Sequence, residues 1–348
     1  MKTVICALLL SLALAHSTGH AASGSDAART YRVLQRIPLG EPGGWDYLSI
    51  DEHHHRLFIS RSDRVMVVST TDGKVLGTIA DTQGVHAIAL VPQLDRGFTS
   101  NGRANTLTEF DLKTLKVLRT IPAGGENPDA LLYDAHSGHL FAFNGRSHDI
   151  SVIDPRAGTV VATIPAGGKP EFAVSDGHGH VFVNIEDTAE LERLSSNTNQ
   201  VEATWKLEAC EEPSGLAFDG AHQRLFSVCQ NGQMAVTDAV TGRHVASVPI
   251  GQGPDAAVFD ARRQLVFSSN GEDGSLTVIR QDAPDRYRVL ANVPTQKSAR
   301  TMVLDGSSHR LYEVAAQFGP APAPTQEQPH PRAPVLDGSF TVLAIGTK

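Results

Sequence analysis

Seven short polar dipeptides recur along the chain: Trp45-Asp46, Val85-His86, Pro128-Asp129, Pro170-Glu171, Pro213-Ser214, Pro254-Asp255 and Ala299-Arg300. Their second members stand 40, 43, 42, 43, 41 and 45 residues apart. Four of the seven are acids, so an equivalent position in every copy would gather an acidic centre. Such a centre suits a cation or a polyhydroxylated ligand. Asp129, Glu171 and Asp255 supply hard oxygens, which fit Ca²⁺ or Mg²⁺ better than zinc. His86 could join them as a ligand or, since histidine side chains ordinarily titrate near neutral pH, serve as the candidate catalytic residue, a general base. A second set follows each dipeptide: Arg61, Asn101, Asn144, Asn184, Glu186, Cys229 and Asn270, with Arg103 and Arg146 two residues beyond their asparagines. The arginines could hold a carboxylate or a phosphate.

These residues also have a plainer use. Asp after Pro caps turns, and Asn before Gly supplies a left-handed turn residue. A purely structural position should keep one residue type in every copy. The dipeptide position instead holds acids, one His, one Ser and one Arg, as a site gripping one ligand from several sides would.

The elements that carry these residues follow from two further columns. An Asp recurs five residues after the signature in six copies, as Asp51, Asp134, Asp176, Asp219, Asp260 and Asp305, with Val91 as the exception. An aromatic recurs twelve residues after it, as Phe58, Phe98, Phe141, Phe226, Phe267 and Tyr312, with Phe182 at eleven. Within the third copy, apolar runs at 130–133, 140–143, 150–153 and 160–164 are separated by Gly, Pro, Asp and Asn. That is four short strands joined by turns. No segment has a helical period over twelve residues. Seven units of about 42 residues with four strands each predict an all-β, seven-bladed β-propeller of antiparallel blades.

The last copy has three strands of its own. The segment Tyr31 to Gly40 matches the outer strand Lys116 to Gly124 of the second copy. It is expected to close the last blade and cover its exposed edge. In a propeller, loops entering the inner strand and loops leaving the second strand open on one face. The binding funnel is therefore expected to collect Asp46, His86, Asn101, Arg103, Asp129, Asn144, Arg146, Glu171, Asn184, Glu186, Asp255, Asn270 and Arg300.

Phe98-Thr99-Ser100-Asn101, Phe141-Ala142-Phe143-Asn144 and Phe267-Ser268-Ser269-Asn270, each followed by Gly, look like variants of a Tyr-Val-Thr-Asn repeat. The mature chain resembles the YVTN-type, YncE-like family of exported bacterial propellers. That resemblance implies the fold and export and leaves the activity open. More distant propellers include sugar lactonases with a divalent metal in the funnel. Three readings follow: a funnel that binds a small polar ligand or a protein partner, a divalent-metal-dependent hydrolase of the lactonase type, and an interaction scaffold.

Composition narrows the field. Lys and Arg number 30 against 38 Asp and Glu, a net charge of -8. No basic face for duplex nucleic acid or anionic membrane is available in bulk. Lys2 precedes an apolar run from Val4 to Ala15, the pattern of a secretory signal peptide. Cleavage after Ala15 competes with cleavage after Ala21, and the polar stretch before Ala21 favours the latter. The expected organisation is a signal peptide at 1–21 and one propeller domain at 30–348, periplasmic or secreted, without a membrane span and monomeric. Haem attachment, phosphate-loop and nucleophile-elbow motifs are missing, so no cofactor is demanded beyond an optional divalent metal.

Three local features complete the reading. His53-His54-His55 falls on the face opposite the funnel and reads as an exposed turn. A Pro-rich insertion at 316–338 interrupts the last blade and is expected to lie partly over the funnel mouth. Cys210 and Cys229 both fall on the funnel side of the fifth copy, and export would let them form a disulfide.

Overall fold

The computed structural model describes residues 31–325, 331 and 333–348. The expected signal peptide at 1–21 lies outside the described residues. Seven four-stranded antiparallel sheets follow one another along the chain. Blades 1 to 6 occupy 48–79, 85–122, 128–165, 170–206, 213–249 and 254–294. Blade 7 is built from Met302–Asp305, Arg310–Ala315 and Thr341–Gly346, with Arg32–Pro38 as its outer strand. Inner strands of successive blades contact each other, and the inner strand of blade 7 contacts that of blade 1. The sheets therefore form a closed ring, and the N-terminal strand closes it by pairing Arg32 with Gly346 through Pro38 with Thr341. Among the described residues no helix is long and apolar enough to cross a membrane.

The aromatic column is the core. Phe58, Phe98, Phe141, Phe182, Phe226, Phe267 and Tyr312 are all within 2% of full burial. They fill the wedges between blades, where each ring removes a large apolar area from water. The Asp column does a different job, at the far end of the inner strand. Asp134 accepts hydrogen bonds from the Ser137 backbone at 2.9 Å and the Ser175 hydroxyl at 2.6 Å. Asp51, Asp176, Asp219, Asp260 and Asp305 likewise accept backbone N–H groups of the following turn. These are side-chain-capped turns.

One departure from regular pairing positions the funnel residues. Inner-strand register slips between Val85 and Ile88, Pro128 and Leu131, Pro170 and Ala173, Pro213 and Leu216, and Pro254 and Ala256. Each slip contains the second residue of the dipeptide. An irregularity of this kind frees a residue from the ladder and re-aims its side chain. The repeat thus builds the same irregular position in five successive blades, projecting in blades 2, 3, 4 and 6 and buried at Ser214 in blade 5.

Cys210 and Cys229 form a disulfide, with Cα atoms 5.3 Å apart. Cys229 ends the second strand of blade 5, where blades 2, 3 and 6 carry Asn, and the bond pins the loop entering that blade. The arms of the Pro-rich insertion meet in a bridge between Phe318 and Val335. Gly319 N–H donates to Pro334 C=O at 2.9 Å, and Leu336 N–H to Gln317 C=O at 2.8 Å.

Candidate functional site

Asp46, His86, Asp129, Glu171, Asp255 and Arg300 converge at one mouth of the ring. His86 Nδ1 lies 2.6 Å from Asp46 Oδ2 and 3.5 Å from Asp129 Oδ1. Arg300 Nη1 lies 2.9 Å from Asp255 Oδ2, and Nη2 lies 4.0 Å from Asp46 Oδ1 and 3.2 Å from the Trp45 carbonyl. Lys169 Nζ lies 3.3 Å from Glu171 Oε2 and also pairs with Glu186. The Tyr47 hydroxyl reaches across from blade 1 to Glu171 Oε1 of blade 4 at 3.5 Å.

Buried serines hold this arrangement from behind. The Ser60 hydroxyl accepts the Asp46 backbone N–H at 2.8 Å. Ser100 accepts the Ala87 N–H at 2.9 Å and donates to the Asp129 carbonyl. Ser269 donates to the Arg300 carbonyl in the same way. All three serines are fully buried at one position of the second strand. They fix the backbones on either side of each projecting residue, so its side chain starts from a defined place.

The channel has a floor beneath the charged residues. Tyr47 and Phe172 stack with ring centroids 5.3 Å apart. The matching residues of other blades are small, such as Ala87, Ala130 and Ala256. At Gly215 a Cβ would sit 2.6 Å from the Ala257 nitrogen, which shows how tightly inner strands crowd there. Below the pair lies a cavity of about 90 Å³ lined by Leu48, Ile88, Leu131 and Ala173. The charged ring is therefore a cup with an aromatic bottom.

Burying like charges together shifts their protonation. Burial, reinforced by the Asp129 charge, pushes Glu171 up to about 8 against the opposing pull of Lys169. Burial raises Asp255 to about 7 although Arg300 opposes it. Burial raises Asp129 to about 6, with His86 opposing and Asp46 adding to the rise. The Tyr47 hydroxyl is pushed well above its usual value by burial and by Glu171, Asp129, Asp46 and Asp255 in turn. His86 resists burial through its bond to Asp46 and is raised.

The remaining expected residues divide sharply. Asn101, Asn144, Asn184 and Asn270 do not line the funnel, which corrects the expectation. They are buried to 1% or less, and their amides are spent inside the blades. Asn101 Nδ2 donates to Thr106 and Thr108, Asn144 Nδ2 to Asp149 and Ser151, and Asn270 Nδ2 to Ser275 and Thr277. Asn184 Nδ2 donates to the Ser214 carbonyl at 2.9 Å. Ser214 is itself buried, with its hydroxyl on the Pro254 carbonyl. Arg103 and Arg146 are exposed on their loops and take no part in the ion pairs of the ring. Glu186 joins through Lys169.

Of the expected oxygen set, Asp129 falls in the close group of ligand atoms, and Glu171 and Asp255 stand apart from it. Glu171 faces Lys169 and Asp255 faces Arg300, so each has a fixed cation. The residues whose ligand atoms all lie within 4.8 Å of one another are Asp46, His86 and Asp129.

Residues missed in the sequence lie one or two places from the signature. Tyr47 and Phe172 break a column of small residues, and that break was the available signal. Lys169 stands where blades 2 and 6 carry Gly84 and Gly253. A pocket of about 660 Å³ adjoins the ring, lined by Gly43, Gly44, Trp45, Arg300, Phe318 and Val335 among others. Trp45 and Phe318 pack at 5.9 Å, so the arms of the Pro-rich insertion sit against the edge of the mouth.

Comparison with known proteins bears on the fold. No family model matches the chain, and no curated protein sequence matches it. A chain of hydrazine synthase from Kuenenia stuttgartiensis superposes with a TM-score of 0.68 at 15% identity, over 78% of this chain and 93% of that one. A chain of a mitotic checkpoint complex gives 0.71 at 14% identity, over 90% and 96%. The U3-55K structure gives 0.70 at 11% identity, over 91% and 98%. The chain is a seven-bladed β-propeller. Its likeness to these three proteins is one of fold.

Proposed function

We propose that this is an exported propeller of the YVTN type whose funnel binds a small ligand. The polar head of that ligand lies among Asp46, Glu171, Asp255 and Arg300, and an apolar portion lies against Trp45 and Phe318. One observation carries the reading: a ring of largely buried carboxylates, crowded enough to raise three of them, opens beside an aromatic-walled pocket of about 660 Å³. Such crowding is costly for the empty site and is relieved by a cation or by hydroxyl donors. Export is supported by the disulfide.

Trp45 reports on the pocket. The chain has two tryptophans, so Trp205→Phe leaves Trp45 as the reporter. The variant is titrated with 2-phenylethylamine, benzyl glucoside and 3-phenylpropanoate. The amine or the glucoside is expected to quench Trp45 and raise the melting temperature, with both effects lost in Glu171→Gln or Phe318→Ala. Absence of any response, or a response that survives both substitutions, overturns the reading.

A metal-dependent hydrolase of the lactonase type is favoured by one feature, the grouping of Asp46, His86 and Asp129 around a common point. Lactone hydrolysis that disappears on chelation and returns with metal would establish it.

A further inference from the structure

We propose that Asp46, His86 and Asp129 form a site for one first-row transition-metal ion, with Zn²⁺ as the natural occupant and open positions facing the funnel. This deepens the funnel reading by naming what its polar end contains, and it is tested separately from the organic ligand.

Donors at the usual 2.0–2.2 Å from such an ion stand about 3 to 3.5 Å apart. His86 Nδ1 is 2.6 Å from one carboxylate oxygen and 3.5 Å from the other. The ligand atoms of all three residues already lie within 4.8 Å of one another, so side-chain adjustment alone would admit the ion. The three residues are partly buried and come from blades 1, 2 and 3 at one equivalent position. Asp129 has His86 as its ion-pair partner among the described residues, whereas Glu171 and Asp255 face fixed cations. Two partly buried carboxylates and a single imidazole therefore share a pocket; Arg300 stands 4.0 Å from Asp46 but pairs more closely with Asp255.

The imidazole is held with the correct nitrogen forward. Nδ1 faces the carboxylates. A Cβ placed on Gly102 would stand 2.7 Å from Nε2, so the ring occupies the space that this glycine leaves. Ser60 and Ser100 fix the three ligand-bearing backbones. Support behind the ligands is what gives a metal site its affinity. One imidazole in the set shifts preference from Ca²⁺ or Mg²⁺ toward Zn²⁺, Co²⁺ and their neighbours. Three protein ligands leave coordination positions for water or a bound molecule.

The full chain, freed of metal by chelation and dialysis, is titrated with Co²⁺ and Zn²⁺ by calorimetry, and with Co²⁺ by visible absorption. One equivalent is expected, with a d–d spectrum of a nitrogen–oxygen site. His86→Gln and Asp129→Asn should each weaken binding about 100-fold or more, and Gly102→Ala about tenfold by displacing the ring. Glu171→Gln should leave metal affinity within a factor of two or three while abolishing the response to 2-phenylethylamine or benzyl glucoside. Melting curves establish that each variant is folded. No stoichiometric uptake, uptake unchanged in both His86→Gln and Asp129→Asn, or Ca²⁺ bound more tightly than Zn²⁺ overturns the proposal. Metal uptake without any organic ligand response would uphold it and defeat the ligand reading alone.

Discussion

The two ends of the inner strands carry the same residue types in opposite roles. At the far end, Asp51, Asp134, Asp176 and Asp305 are held below the usual carboxylate range. Burial works against them, and hydrogen bonds from Arg56 to Asp51, and from turn N–H groups, serines, His54 and His180, outweigh it. At the funnel end, Asp129, Glu171 and Asp255 are raised, because burial and like charges are not answered by comparable donors. Histidine divides in the same way. His54, His180, His222 and His309 each pair with a turn Asp. His86 faces two acids in a cup. The far end repeats because the same Asp-capped turn serves six of the seven blades, with Val91 in blade 2 as the exception. The funnel end varies because nothing in the blade fixes what projects there.

The disulfide gives the largest expected effect and separates the two ends. In blade 5 it takes the place of the Asn that ends the second strand of blades 2, 3 and 6, and it spans 19 residues. Cys210→Ser with Cys229→Ser should cost about 3 kcal/mol. Denaturant unfolding under non-reducing conditions measures it. A loss no greater than that of an exposed substitution would show that blade 5 needs no staple.

The next effect lies at the far end. Asp134 is fully buried and serves both Ser137 and Ser175. Asp134→Ala should cost about 2 kcal/mol, the order for hydrogen bonds to a charged acceptor. Its contribution is present above the unfolded pKa and lost as pH falls through the lower folded value. The cost of the substitution should therefore shrink in acid. A cost independent of pH would break the contrast between the ends.

This contrast explains what was legible in the sequence. The Asp column in six blades and the aromatic column in all seven revealed turns and strands, and the match of Tyr31–Gly40 to Lys116–Gly124 revealed closure. The signature position was legible because its identity changed against a constant frame. The asparagines misled because a repeated polar residue near the mouth can equally be an internal brace. Asn101 and Asn270 bond forward to the third strand, a contact that spacing alone does not reveal. Tyr47 and Phe172 depend on which blades face each other across the channel, and a linear repeat does not display that; Lys169 pairs with Glu171 and Glu186 of its own blade. Phe318 reaches Trp45 through an insertion with no counterpart in other blades.

At the funnel end the sign reverses. Glu171, raised to about 8, binds its proton more tightly folded than unfolded. Its stabilising contribution is complete below the unfolded value of ~4.3 and is lost as pH rises through about 8. Asp255 and Asp129 act likewise through about 7 and about 6. Stability of the metal-free protein should therefore decline from pH 5 to 9. Glu171→Gln should flatten that decline and gain about 1 kcal/mol at pH 9, while Lys169 keeps Glu186 as partner. Melting temperature against pH for both proteins measures it. Equal slopes would mean that the ring is not electrostatically strained.

The smallest expected effect isolates geometry from residue type. His54 and His86 each place Nδ1 within hydrogen-bonding distance of an Asp, at 2.9 Å and 2.6 Å. The His54 side chain is 60% exposed, and its Asp51 is already served by Arg56 and by a turn N–H. Water screens the pair and replaces the imidazole when it is removed. His54→Ala should change stability by less than about 0.5 kcal/mol, with Zn²⁺ uptake at the funnel unaltered. His86→Ala removes the group that stands between Asp46 and Asp129, and two partly buried carboxylates are left facing each other. The loss should grow as pH rises through about 6 and Asp129 ionises, and shrink again once the pH passes the raised value of His86 and the imidazole is neutral in the parent protein too. Calorimetric unfolding at pH 5 and pH 8 compares the two variants. If His54→Ala proved as costly as His86→Ala, the two Asp–His pairs would be equivalent, and the funnel would lose its claim to distinct chemistry.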